Sequence, residues 1–211
     1  EDNMDKIELT YPTTQKYGVN SFGKEANIMV AAGKHNSDDN LYFRNACGYL
    51  IIKLYGQGTN EQPTTIKSIT LSSVGGVDKI AGKAGVVAKH EAAPVITMAD
   101  DASTAVTLDC NVDDVGVALG ADAEHATEFW FCLPPVTFTD GIKITVTDVY
   151  GNVYTKQTSK TVNIGRNTIQ PMAAIEFVSN APAATKLWYT RSDNSTIPLE
   201  FYDEKTNPFD A

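Results

Sequence analysis

The stretch that most constrains this chain runs from Glu128 to Tyr154. In its second half Ile142, Ile144 and Val146 alternate with Lys143, Thr145 and Thr147. Period two belongs to an extended strand with one dry and one wet face, because successive side chains leave opposite sides of the pleat. Gly151-Asn152 follows with turn chemistry and predicts a return strand through Val153, Tyr154 and Thr155. The first half, Phe129-Trp130-Phe131-Cys132-Leu133, is denser and reads as a central strand. It is stopped by Pro134-Pro135, which cannot extend a ladder. Phe129, Phe131 and Leu133 share one face of it; Glu128, Trp130 and Cys132 share the other. Glu128 marks its face as the wetter one, so the two phenylalanines are assigned to the core. Trp130 then needs a cover, expected from a terminal segment. Burying one aromatic removes ~150–250 Å² from water, up to about 4–6 kcal/mol at ~25 cal/mol/Å². Loss of this strand is therefore expected to unfold the domain.

Further short strands are predicted before and after it. Ile7–Tyr11 and Asn27–Ala31 are short apolar runs, and His35–Asn40 is polar and aperiodic. In Leu41–Tyr55 the apolar parity changes: Leu41 and Phe43 are odd, whereas Leu50, Ile52 and Leu54 are even. One straight strand would put these on opposite faces, so a bulge or bend is expected near Asn45–Gly48, with Gly48 taking the unusual dihedrals. Ile66–Leu71, Lys79–Ala88, Val95–Met98, Thr104–Cys110, Thr161–Ile164 and Ile169–Val178 complete the set, with a loop and one helical turn expected in Asn111–Ala126. Short strands spaced by Gly, Pro, Asn and Asp make an all-β, antiparallel β-sandwich. Three segments are expected: 1–40, remnant or cover strands; 41–178, the main sandwich; 179–211, a linker and the start of a following module.

With 42% apolar residues in 211, a core forms without disulfides or metals. A net charge of −9 argues against nucleic acid and anionic membrane surfaces, which are themselves negative. Three cysteines, Cys47, Cys110 and Cys132, is an odd count, and all sit in apolar, strand-like surroundings, as buried thiols do. No apolar run approaches the roughly 18–20 residues that span a bilayer. The polar opening Glu1–Asp5 does not read as an export signal, so the expectation is either a cytosolic protein or one whose signal has been removed; the uncapped end at Ala211 reads as a cut from a longer protein.

No motif here carries chemistry. His35, His90 and His125 lie in separate polar segments without metal-ligand spacing. Asp38-Asp39, Asp100-Asp101 and Asp113-Asp114 do not fit a calcium loop and suit turns. Gly82–Gly85 lacks a phosphate-loop arrangement, and there is no nucleophile elbow. No catalytic, cofactor or metal residue is assigned. The tail aromatics Trp188, Tyr189, Phe201, Tyr202 and Phe209 are expected to pack against the next module or against the sandwich; the alternative is stacking on sugars or docking a partner, with Trp188, Tyr189 and Tyr202 as the candidate contacts.

Five segments together resemble one family. They are Leu41–Leu50 (LYFRNACGYL), Ile66–Leu71, Lys79–Lys83, Phe129–Phe138 and Ile169–Met172. In order and spacing they look like the fimbrillin-like domains of Bacteroides-type bacteria. The tail from Leu187 looks like the junction before leucine-rich repeats in some of those proteins. The resemblance covers about residues 20–200 and implies a transthyretin-like sandwich. It also implies display outside the outer membrane on a lipid-anchored or pilus protein, with a structural or adhesive role and no catalytic residues. Implied partners are other surface-protein domains or subunits, or host or glycan ligands, with membrane contact only through an anchor. Full fimbrial subunits carry a complete N-terminal sandwich, for which residues 1–40 are too short. Two rival functions follow from the residues: a carbohydrate-binding module, which needs an exposed aromatic platform, and a glycan-active hydrolase, which needs convergent carboxylates or a Ser/Cys–His pair.

Overall fold

A computed structural model describes residues 6–34, 38–56, 64–88 and 90–177, and the backbone of 187–190 and 196–199. The chain divides into two compact units, Glu1–Val178 and Ser179–Ala211.

The first unit opens with β1 (Lys6–Tyr11), β2 (Thr14–Gly18), β3 (Ser21–Phe22) and β4 (Met29–Lys34). β5 (Asp38–Asn45), β6 (Gly48–Tyr55), β7 (Thr65–Ser73), β8 (Gly82–Val87), β9 (Val95–Met98) and β10 (Ala105–Asp109) follow. Next come β11 (Val117–Ala118), β12 (Thr127–Leu133), β13 (Val136–Phe138), β14 (Ile142–Asp148) and β15 (Val153–Gln157). β16 (Val162–Ile164), β17 (Ile169–Pro171) and β18 (Ile175–Glu176) close the unit. The second unit holds β19 (Leu187–Thr190) paired antiparallel with β20 (Thr196–Leu199). The protein is all-β.

The main core lies between two sheets. One has the order β15-β14-β7-β10-β2-β3, with β11 on β7; the other has β12-β6-β17, with β18 also on β6. Alternation decides which side chains enter. Ile69 and Leu71 of β7, Val106 and Leu108 of β10, and Ile144 and Val146 of β14 face Leu50, Ile52, Leu54, Phe129 and Phe131 of the second sheet. Phe129 and Phe131 are fully buried there, as their parity predicts. Most pairings are antiparallel, but β10–β2, β17–β6 and β18–β6 are parallel.

A third layer was not anticipated. β1, β8 and β9 form their own antiparallel sheet. A second cluster made of Tyr11, Ala26, Cys47, Tyr49, Ala84 and Cys132 is packed by Leu9, Phe22, Ile28, Ile96, Met98 and Trp130. The β6–β12 sheet is thus a middle layer, which is why Gly48–Ile52 is buried without interruption. Trp130 receives the terminal cover its face requires, from the N-terminal strands.

Four expectations need correction. Leu41–Tyr55 is not one bent strand: β5 pairs with β4, whereas β6 pairs with β12, so the parity change marks a passage between sheets. Gly48 is needed for closeness and not for unusual dihedrals. A Cβ there would stand 2.2 Å from the Gly165 carbonyl oxygen. β12 is not central in its sheet, for among the described residues it pairs with β6 alone. Its other edge is closed by a side chain. Gln15 Nε2 donates to the Cys132 carbonyl at 2.6 Å, and the Cys132 N–H donates to Gln15 Oε1 at 3.0 Å. Ile169–Val178 likewise divides into β17 and β18. Pro171 stands beside Ile51 and Ile175 beside Leu54, so one extra residue bulges out at Met172–Ala174.

Candidate functional site

The tail candidates fall at the margin of what the structure describes. Trp188 and Tyr189 lie on β19 with backbone partners Pro198 and Ile197, and their side chains are outside the described residues, as is Tyr202. His35 is also outside them. His90 stands edge-on to the Tyr42 ring at 5.3 Å, with Nδ1 3.8 Å from the Glu91 carboxylate. His125 Nδ1 lies 2.8 Å from Asp122 Oδ1 on an exposed turn. Among the described residues no group of three or more His, Cys, Asp or Glu side chains is placed to hold a metal ion.

The three thiols are buried and free. Burial pushes Cys47 up to about 11 and Cys110 up to about 12, and it raises Cys132 further. A nucleophilic thiol needs the reverse shift. Asp148, Ser73 and the Tyr11 hydroxyl, all buried, serve turns and strand passages. Asp148 accepts from the Tyr150 and Asn152 amides at 2.9 and 2.8 Å and from Asn152 Nδ2 at 2.7 Å, tying the β14–β15 turn. Ser73 Oγ donates to Asp78 Oδ2 at 2.6 Å beside the turn after β7. Tyr11 donates its hydroxyl proton to the Ala46 carbonyl at 2.8 Å, across the passage from β5 to β6.

One concavity stands out, where the two core sheets end. β15 is the last strand of the larger sheet and β17–β18 the last of the smaller. Between them runs a groove of about 490 Å³, open to solvent. Its floor is Ile142 and Ile144; one wall is Tyr154 and Lys156, the other Met172, Ile175 and Glu176. The bulge at Met172–Ala174 shapes the second wall. Lys156 pairs with Ile144 and Tyr154 with Val146, so both point to the core side of β15. An inward lysine on an edge strand guards against edge-to-edge pairing. It also puts a cation in the same lining as the Glu176 carboxylate. Among the described residues neither Lys156 nor Glu176 is in an ion pair. Sequence reasoning missed this site. The available signal was parity: Tyr154 and Lys156 share the side of β15 that faces Val146 and Ile144 across the ladder.

These features define a class, an all-β sandwich-type domain with an added outer sheet. Comparison with solved structures finds similarity to a candidate cell adhesion protein from Bacteroides ovatus, at 12% identity and a TM-score of 0.39. The match covers 84% of this chain, which spans about 60% of the length of that protein. No protein-family model matches the chain, and no curated protein does. Among the described residues no helix is long and apolar enough to cross a membrane.

Proposed function

We propose that this chain is a non-enzymatic module of a cell-surface structural or adhesion protein, of the fimbrillin-like, transthyretin-related kind that its segments resemble. The observation that carries this reading is the employment of the buried polar side chains. Gln15, Asp148, Ser73 and the Tyr11 hydroxyl are all engaged in holding strands, edges or turns. The buried thiols are held in their unreactive form. A body built this way supports and presents; its partners are neighbouring surface-protein domains or subunits, and host or glycan ligands. The acidic surface fits such display and disfavours nucleic acid. Attachment would run through a lipid anchor elsewhere in a longer protein at the outer membrane, in a pilus or ahead of leucine-rich repeats.

The test is antibody labelling of intact cells that produce the protein. Labelling that disappears when intact cells are treated with protease supports the reading. Labelling that requires lysis overturns it.

A further inference from the structure

We propose that the groove between the two sheet edges binds a short neutral oligosaccharide. The inference deepens the surface-display reading and rests on it, since such ligands meet this groove outside the cell.

The volume, about 490 Å³, falls within the ~300–1,000 Å³ of small-ligand sites. The groove is open, so a chain of sugars can lie in it with its ends in water. The lining sets the chemistry. Ile142 and Ile144 lie almost fully buried at its base, 1% and 2% exposed, and the accessible apolar lining is Met172, Ile175 and Tyr154, whose ring is held edge-on against Phe177 at 5.7 Å. A pyranose ring has an apolar face of C–H groups that suits such a surface. Its hydroxyls both donate and accept. Lys156 donates and the Glu176 side chain accepts, so one polyol satisfies both walls. The opposite charges on the two walls cancel, which disfavours a ligand with net charge of either sign. An alkyl chain would cover the apolar lining of Tyr154, Met172 and Ile175 and leave both charged groups with nothing to bind. Turning Lys156 toward the core side of an edge strand also obstructs an added peptide strand.

The experiment titrates the full chain with cellotriose, maltotriose, mannotriose and lactose at millimolar concentration, reading isoleucine and methionine methyl resonances by NMR. The expected result is saturable shifts at Ile142, Ile144, Ile175 and Met172 with at least one of these sugars. Tyr154→Leu, which keeps apolar bulk, should weaken binding about tenfold or more. Lys156→Met and Glu176→Gln should each weaken it severalfold, with melting temperatures close to the parent's. Tyr150→Ala, at a turn tip where Tyr150 is 82% exposed, should change nothing. Three results would overturn the proposal: no response to any sugar, a response unaltered by both Tyr154→Leu and Lys156→Met, or a groove that responds only to decanoate or to a valine-threonine pentapeptide. Any of these leaves surface labelling of intact cells untouched, so the two readings fail separately.

Discussion

At the scale of single residues, the β14–β15 turn rests on one carboxylate. Asp148 is buried and receives three N–H donors, and Gly151 supplies a positive φ of 86°. Removing the acceptor strands those donors, so Asp148→Ala should cost about 2–4 kcal/mol, read from the denaturant midpoint. A loss below a few tenths of a kcal/mol would mean that water replaces the carboxylate freely. Gly141 is a second fixed point. It has φ 88°, and an added Cβ would sit 1.9 Å from the Thr158 carbonyl oxygen. Gly141→Ala should therefore destabilise by more than the ~1 kcal/mol that a left-handed conformation alone costs a non-glycine residue. A melt indistinguishable from the parent would show that the backbone relaxes there.

At the scale of elements, β12 shows a strand completed by a side chain. Gln15→Leu keeps bulk but leaves the buried Cys132 amide and carbonyl without partners. It should cost about 2–4 kcal/mol and speed hydrogen exchange at the Cys132 amide more than at its neighbours. Unchanged exchange at Cys132 would remove the closure from the account. Elements are also where legibility in the sequence stops. Phe129, Phe131, Ile142, Ile144 and Val146 could be assigned to a face from parity alone, since period two is a local property of a pleated chain. The parallel pairing of Asp109 with Lys16, the contact of Gln15 with Cys132 and the passage from β5 to β6 join residues or sheets that no local pattern connects. The third layer was hidden for the same reason: β1 and β8 are ordinary short strands until they meet. Of the site, the tail aromatics were picked for composition. The groove depends on which strands end their sheets, and that is a matter of topology.

At the scale of the whole molecule, the buried thiols make the fold sensitive to alkali. Their folded values lie above the ordinary thiol value, so the unfolded chain releases these protons first. The contribution to stability is complete below about pH 9, then falls as pH rises toward about 11 for Cys47 and about 12 for Cys110. Each such group removes up to about 1.4 kcal/mol per pH unit in that window. Cys110→Ala should carry a small constant penalty at neutral pH and a shallower loss above pH 9, measured as melting temperature against pH. An alkaline limb as steep as the parent's would refute the assignment.

The amide that closes β12 has a consequence for how the protein ages. Gln15 both gives and takes a hydrogen bond with Cys132, and hydrolysis of its side chain would leave an acid in its place. Protonated, that acid still makes both bonds; ionised, it turns oxygen toward oxygen. A Gln15→Glu chain should therefore match the parent in mild acid and loosen near neutrality, with proteolytic nicking of the β2–β3 region as the readout. Chemical wear at a single nitrogen would then set how long the layers stay fastened.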